Sequence, residues 1–460
     1  MSEPALADRT APYSRGHPIL GSALELRNDI IGTLCAHWRR HGDLVRFRSP
    51  FAGVPDYLIA HPDHVQQVLQ TQHKEFVHPP AQRGKFSDVV GQGLVASQGD
   101  YWRRQRRLSQ PAFHRAALSS FAQVTVDTVG ELADSWREPA RSGEVLDMRV
   151  EMMRVTLDVL ARAMFGADWR AELESLGVHV TGLLERTFAA MLSPFAAPLW
   201  LPTPGNREFL RARASVDRIA YNLIGAARRK LAADGAPNLV QLLLSAVDPE
   251  TGASMSDEQV RDEIMAMLIA GHETVSTGLT WTWYLLSKYP EAEARVAAEV
   301  RRVCGDRPPA FADLPDLRYT TRAIQEAMRL YPPLWVIGRM PTADVEIGGY
   351  PIARGSVLLV TPYLTHRHPD FWTDPESYDP DRFLPERSAG RHRFAYYPFG
   401  GGPRKCIGEG FAMMEMPLVV ARVMQQYKLS LVPGVPVTPS AGISLRAAPG
   451  MPMTIRHRHG

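Results

Sequence analysis

The chain has 460 residues, a net charge of +3, and 45% hydrophobic against 22% charged residues, the balance of a folded globular enzyme. That even charge gives no electrostatic ground for nucleic-acid binding, and no apolar run approaches the roughly 18 residues of a membrane span, so neither a nucleic-acid partner nor a membrane anchor is expected. Three cysteines, Cys35, Cys304 and Cys406, are odd in number and far apart, which does not make a disulfide framework and fits a reducing compartment. Length alone suggests about three domains. No linker, repeat or low-complexity run divides the chain, so one domain over 1–460 is expected, with a polar, proline-punctuated and flexible segment at 1–18. That segment has no signal-peptide core, and a cytoplasmic monomer is expected.

In chain order, residues 19–40 read as a loop and then a helix containing Ile30, Ile31, Leu34 and Trp38. Two short strands, Leu44–Arg48 and Asp56–Ala60, precede a helix from about Asp63 to Thr71. His78–Ser97 carries Pro79, Pro80, Gly84, Gly91 and Gly93 and reads as a long irregular loop, a kind that is often functional. A basic helix then starts at Gly99, with Trp102 and Arg106 on one face and Arg103 and Arg107 on another. Residues 115–245 alternate amphipathic helical patterns with breaks. Pro194, Pro198, Pro202 and Pro204 mark an apolar connection beside Phe188, Met191, Phe195 and Trp200.

The longest helical pattern runs from about Asp257 to Lys288, opened by a capping box of Ser256 and Gln259 and stopped by Pro290. It would extend roughly 45 Å. Ala270, Thr274, and Thr277 or Gly278 fall on one small-residue face that would let the backbone approach a large flat cofactor, with Gly271 and Glu273 in the same stretch. Glycine inside a helix costs about 1 kcal/mol relative to alanine, so a packing or functional reason is expected. Residues 318–330 form another helix with Glu326 and Arg329 one turn apart. Val345–Ile347 and Val357–Val360 read as strands around the turn Gly348-Gly349. The run Phe399-Gly400-Gly401-Gly402-Pro403-Arg404-Lys405-Cys406-Ile407-Gly408 sets a cysteine at the end of a glycine-rich loop, just before a helix from Glu409 to about Gln426. Turn N–H groups and the helix N-terminus both favour an anionic sulfur there. Ile443–Arg456 reads as two short strands around Pro449-Gly450.

The pattern F-x-x-G-x-R-x-C-x-G resembles the haem-ligand loop of the cytochrome P-450 family. Three further motifs resemble that family in its order: Trp102/Arg106, Ala270–Thr274 (A-G-x-[DE]-T) and Glu326/Arg329. The resemblance implies a mainly α fold with a small β region and haem b between the long distal helix and a proximal cysteine loop. Cys406 would be the axial iron ligand, a thiolate that pushes electron density toward O–O cleavage. Trp102, Arg106, Arg339 and Arg404 would hold the haem propionates, with Ala270, Gly271, Phe399 and Gly408 lining the haem. Thr274 and Glu273 would help deliver protons during oxygen activation. Glu326, Arg329 and the later Arg382 would form a buried structural triad. His272 is assigned no role.

The function implied is a monooxygenase that inserts one atom of O2 into a small apolar substrate: a fatty acid, terpene, steroid or polyketide. The alternatives are a peroxygenase or rearrangement enzyme on the same fold, or a non-catalytic haem sensor. No flavin or iron–sulfur segment is visible, so a separate ferredoxin and ferredoxin reductase are expected to supply electrons. Arg103, Arg104, Arg107 and Lys405 are candidates for a basic face toward an acidic partner. The pocket is expected from 78–97, the neighbourhood of Phe188, Ala266–Thr274 (with Met267 and Ile269), Leu334–Ile337 (with Trp335 and Val336) and the Ile443 region, whose hairpin tip the resemblance sends into it.

Overall fold

The structure, a computed structural model, describes residues 10–14, 16, 21–48, 54–80, 82–166, 182–183, 185–190, 197–230 and 238–458. Most of the 1–18 segment, and Met191, Pro194 and Phe195, lie outside the described residues.

The principal helices are α1 (Gly99–Ser109), α2 (Arg115–Ser135), α3 (Met148–Phe165), α4 (Pro204–Lys230), α5 (Asp257–Lys288), α6 (Arg318–Leu330) and α7 (Glu409–Met424). α5 is the axis of the core. Ser256 accepts the N–H of Gln259 while the Gln259 side chain returns to Ser256 N, so the capping box read from the sequence is formed. Its 32 residues are buried on almost every side against α3, α4, α6 and α7, with side chains such as Leu160, Met328 and Met416 beside it. Gly271 sits on the α3 side. A Cβ there would lie 2.9 Å from Leu160 Cδ2, so this glycine permits close helix packing rather than a flat approach by a cofactor.

The β region is small. A six-stranded sheet has the order β1 (Tyr13–Ser14), β2 (Leu44–Phe47), β3 (Asp56–Ile59), β9 (Leu358–Val360), β6 (Ile337–Pro341) and β4 (Phe76–Val77). β1/β2 and β3/β9 are parallel and the other neighbours antiparallel. β7 (Val345–Ile347) pairs with β8 (Tyr350–Ile352) across Gly348-Gly349. The hairpin expected at that turn therefore exists, but its second arm is 350–352, and 358–360 joins the large sheet instead. Burial explains the swap: Leu358 and Val360 are fully buried and need sheet neighbours on both sides.

The C-terminal expectation is also corrected. β12 (Leu445–Ala448) pairs backward with β11 (Thr438–Ala441), while β13 (Pro452–His457) joins β10 (Tyr427–Leu431) and β5 (Val145–Asp147). Pro449-Gly450 is thus a crossing between two sheets. The hairpin tip is Gly442-Ile443-Ser444, tied down by Trp335 Nε1 donating to Gly442 O at 2.9 Å and Trp281 Nε1 to Leu445 O at 2.7 Å. The 78–97 stretch is less irregular than expected. Gln82–Phe86 and Ser87–Val90 are short helical turns packed near the start of α5, where Asp262 accepts the N–H of Gln92 and Glu263 that of Leu94.

Candidate active site

Cys406 leaves the glycine loop immediately before α7. Its N–H donates to Phe399 O at 2.9 Å, which closes the loop. Gly402 has φ +64°, and a Cβ there would meet Leu69 O at 1.9 Å, so no other residue fits. The Cys406 side chain is exposed, yet the protein around it is dense enough that burial raises its thiol pKa. The N–H groups of Gly408 and Glu409 and the Arg106 guanidinium act against that rise. Desolvation outweighs the helix N-terminus and Arg106, and a metal ion on the sulfur would shift that balance toward the thiolate.

Around this cysteine the structure gathers positive charge. Arg106 Nη1 donates to Lys405 O at 3.0 Å. Arg404 Nη1 donates to Ser97 O at 2.9 Å, and its guanidinium carbon lies 4.0 Å over the Trp102 ring. Arg339, on β6, donates to Gly338 O. Burial lowers both Arg339 and Arg404 to about 10, with Arg404 further opposed by Arg339 and Arg106. His78 was not singled out from the sequence. It follows β4, whose antiparallel register with β6 (Val77 opposite Met340) carries it toward Arg339. His78 is buried, its Nδ1 has no partner, and burial with Arg339, Arg404 and Arg83 lowers its pKa to about 2. None of Arg106, Arg339 and Arg404 is within salt-bridge distance of a carboxylate among the described residues. A buried cluster of cations without acids is costly unless an anion completes it.

On α5, Ala270 is exposed although Ile269 and Met267 beside it are buried, so the helix faces an opening at its middle. Thr274 is half-buried and its hydroxyl donates to Ala270 O at 2.6 Å. Glu273 points elsewhere. Its Oε1 accepts from Ser444 Oγ at 2.7 Å and from Arg446 Nε at 2.9 Å, and no hydrogen bond joins it to Thr274 among the described residues. His272 is buried with Nδ1 2.6 Å from Leu268 O, and desolvation lowers its pKa, which suits a neutral core histidine.

The expected triad is assembled. Arg329 Nε and Nη2 reach Glu326 at 2.7 and 2.8 Å, and Arg382 Nε reaches Glu326 Oε1 at 3.1 Å. Arg329 also donates to the carbonyls of His366, Pro375 and Ser377, and Arg382 to those of Thr373 and Asp374. The triad thereby fixes the backbone that leads toward the cysteine loop.

Other expected residues serve elsewhere. Met267, Ile269 and Trp335 are core side chains, whereas Phe188 and Ile443 line a cavity of about 180 Å³ with Glu185, Ser440, Ala441, Gly442 and Arg446. The basic face is largely neutralised. Arg103 pairs with Asp100, Arg104 and Arg107 with the buried Asp248, Arg107 also with Glu250, and Lys405 with Glu409. One group of ligand-type side chains, Asp43, His61 and His368, lies apart. Nδ1 of each histidine accepts a backbone N–H, from Asp63 and Asp370, so Nε2 carries the proton, and His368 Nε2 donates it to Asp43 at 3.0 Å. That is a hydrogen-bond node rather than a cation site.

Comparison with known proteins agrees with this geometry. The family model described as Cytochrome P450 matches residues 11–451. Cyclooctatin synthase of Streptomyces melanosporofaciens is 37% identical over 94% of this chain and 93% of its own. Cyclooctat-9-en-7-ol 5-monooxygenase of the same organism is 36% identical over 88% of each. Pentalenene oxygenase of Streptomyces avermitilis is 32% identical over 96% of this chain and 95% of its own. The crystal structure of the cytochrome P450DA heme domain superposes with a TM-score of 0.86 over 98% of each chain at 26% identity. An accessible thiol deep in the protein, an acid-free cluster of arginines and an open helix middle fit a flat, dianionic iron porphyrin. The chain belongs to the cytochrome P450 family, as a haem b monooxygenase.

Proposed function

We propose that this single-domain chain oxygenates a cyclic, hydrocarbon-rich substrate of the terpene type, with electrons from a separate ferredoxin and its reductase. The observation that carries the site assignment is the acid-free arginine cluster of Arg339, Arg404 and Arg106, with the neutral His78 and its unpartnered Nδ1 beside it, next to the accessible Cys406. The substrate class rests on the apolar pair Phe188 and Ile443 at the cavity and on the relatives' names, which denote an alkene and an alkenol.

Haem b, when bound, supplies the activation of O2 and the transfer of one oxygen atom. Cys406 would give the iron its thiolate, and the N–H groups of Gly408 and Glu409 would limit the charge on sulfur. Trp102, Arg106, Arg339, Arg404 and His78 would hold the two propionates, and the gain in charge-assisted hydrogen bonds would offset the cost of burying the three arginines. Thr274 holds a hydroxyl at the open face of α5, where it can pass a proton toward the oxygen site, while Glu273, the neighbouring acid, is held toward Ser444 and Arg446 and would have to turn to join it.

The test is a panel of cyclic alkenes and alkenols, fatty acids, steroids and polyketides, read by the haem spin-state shift and by product under O2 with reductant. Shifts and hydroxylated product confined to the cyclic alkenes support the reading. A preference for fatty acids overturns the substrate class, and product formed better with peroxide alone than with O2 and reductant favours the peroxygenase alternative.

A further inference from the structure

Glu273 is nearly inaccessible, yet its carboxylate is bound by an arginine from a distant strand. Arg446, on β12, reaches Glu273 Oε1 with Nε at 2.9 Å and Nη2 at 2.8 Å, and reaches Glu185 Oε1 with Nη1 at 2.7 Å. Ser444 at the hairpin tip completes the shell: its Oγ donates to Glu273 Oε1 at 2.7 Å and lies 3.1 Å from Thr277 Oγ1 on α5. Three segments therefore meet at one guanidinium: the oxygen-side helix α5, the β11–β12 hairpin and the helical stretch 185–190. Glu185, Arg446, Phe188 and Ile443 also line the same cavity.

We propose that Arg446 is a positioning residue that couples the 185–190 segment to the orientation of the Glu273 carboxylate. This rests on the oxygenase reading for its consequence but not for its geometry. The two pairs are unequal. Glu273 is 2% exposed, and its carboxylate receives two nitrogens of Arg446, whereas the Glu185 side chain is 57% exposed and receives one. An exposed pair contributes little and a buried one cannot lose its partner cheaply. Displacing the 185–190 segment therefore breaks the Glu185 contact first and leaves Arg446 on Glu273. A substrate seated between Phe188 and Ile443 lies beside this joint, so its fit is felt at Glu273 through one side chain. The bound carboxylate is held toward the hairpin, and its freedom to turn toward Thr274 is set by Arg446.

The test compares Arg446→Met, Arg446→Lys and Glu185→Gln in the full haem-loaded chain. Backbone hydrogen–deuterium exchange is followed at 185–190 and 442–448, and product formed per reducing equivalent is measured alongside. Arg446→Met is expected to speed exchange in both segments by roughly tenfold, the scale of losing a charged hydrogen bond. It is also expected to lower coupling several-fold. Arg446→Lys should restore part of both, and Glu185→Gln should speed exchange at 185–190 alone. Unchanged exchange at 442–448 in Arg446→Met overturns the joint, whether or not the protein makes product. Wild-type coupling in Arg446→Met, with coupling lost in Glu273→Gln, overturns the positioning role. If the methionine variant does not fold, the lysine and Glu185→Gln variants decide by the same readouts. Absence of product from the unaltered protein would count against the oxygenase reading and leave the exchange result to judge the joint.

Discussion

Arg329 and Arg446 each bind a buried glutamate, and the rest of their surroundings could hardly differ more. Arg329 is fully buried, grips Glu326 with two nitrogens, and spends its remaining donors on three backbone carbonyls from the segment before the cysteine loop. Arg446 is partly accessible, and its partners among the described residues are two side-chain carboxylates on different elements. Backbone acceptors cannot swing away from a guanidinium, whereas carboxylates on rotatable side chains can. The cysteine side of the molecule is therefore built to hold one geometry, and the substrate side is built with contacts that exchange.

The largest effect that tests this contrast is at the iron. Cys406→Ser is expected to abolish product formation and to remove the reduced-CO absorption near ~450 nm characteristic of thiolate-ligated haem; retention of that band would show another ligand. Next comes the rigid side. Arg329→Met should cost about 3–5 kcal/mol in denaturant unfolding, because Glu326 is left buried beside Arg382 alone. A loss below 1 kcal/mol would mean the triad does not brace the fold. Glu263, at the foot of α5, sets the third. Burial raises its carboxyl pKa to about 8, its Oε2 accepts only the Leu94 N–H, and Oε1 is buried without a partner. Folding thus favours the protonated form. Its contribution is full below the unfolded value of about 4.3 and fades as pH rises toward 8. Glu263→Gln should raise stability at pH 8 by on the order of 1–3 kcal/mol and flatten the decline between pH 5 and 8. Thermal melts across that range check it. The smallest change in structure is Thr274→Ala. It should leave the melting temperature within a few degrees while reducing equivalents are consumed with less product. Unchanged coupling would show that protons arrive by another route.

Much of this was legible because its causes are local. Ser256, Gln259 and Pro290 fix both ends of α5 by hydrogen bonds and sterics within a few residues. Glu326 and Arg329 meet because one helical turn separates them. Strand partners were less legible, since Leu358–Val360 and Leu445–Ala448 choose neighbours by burial and not by the nearest turn. His78 was hidden for the same reason. A lone histidine in a proline-rich stretch carries no signal until the β4–β6 register sets it beside Arg339. Arg446 carried no signal of its own, because its meaning depends on residues more than 170 positions earlier. The basic run 103–107 misled in the opposite sense, because Asp248 lies far away in sequence and nearby in space.

Asp248 and Glu250 together offset Arg104 and Arg107, which bears on how an electron carrier would be drawn to that face. Charges already cancelled at close range cast little field into solvent, so they cannot draw an acidic carrier from a distance. A carrier docking on that side would be recognised by surface shape and short-range contacts made after collision. Raising ionic strength should slow reduction of the haem only modestly, where an uncompensated row of arginines would make the rate fall steeply.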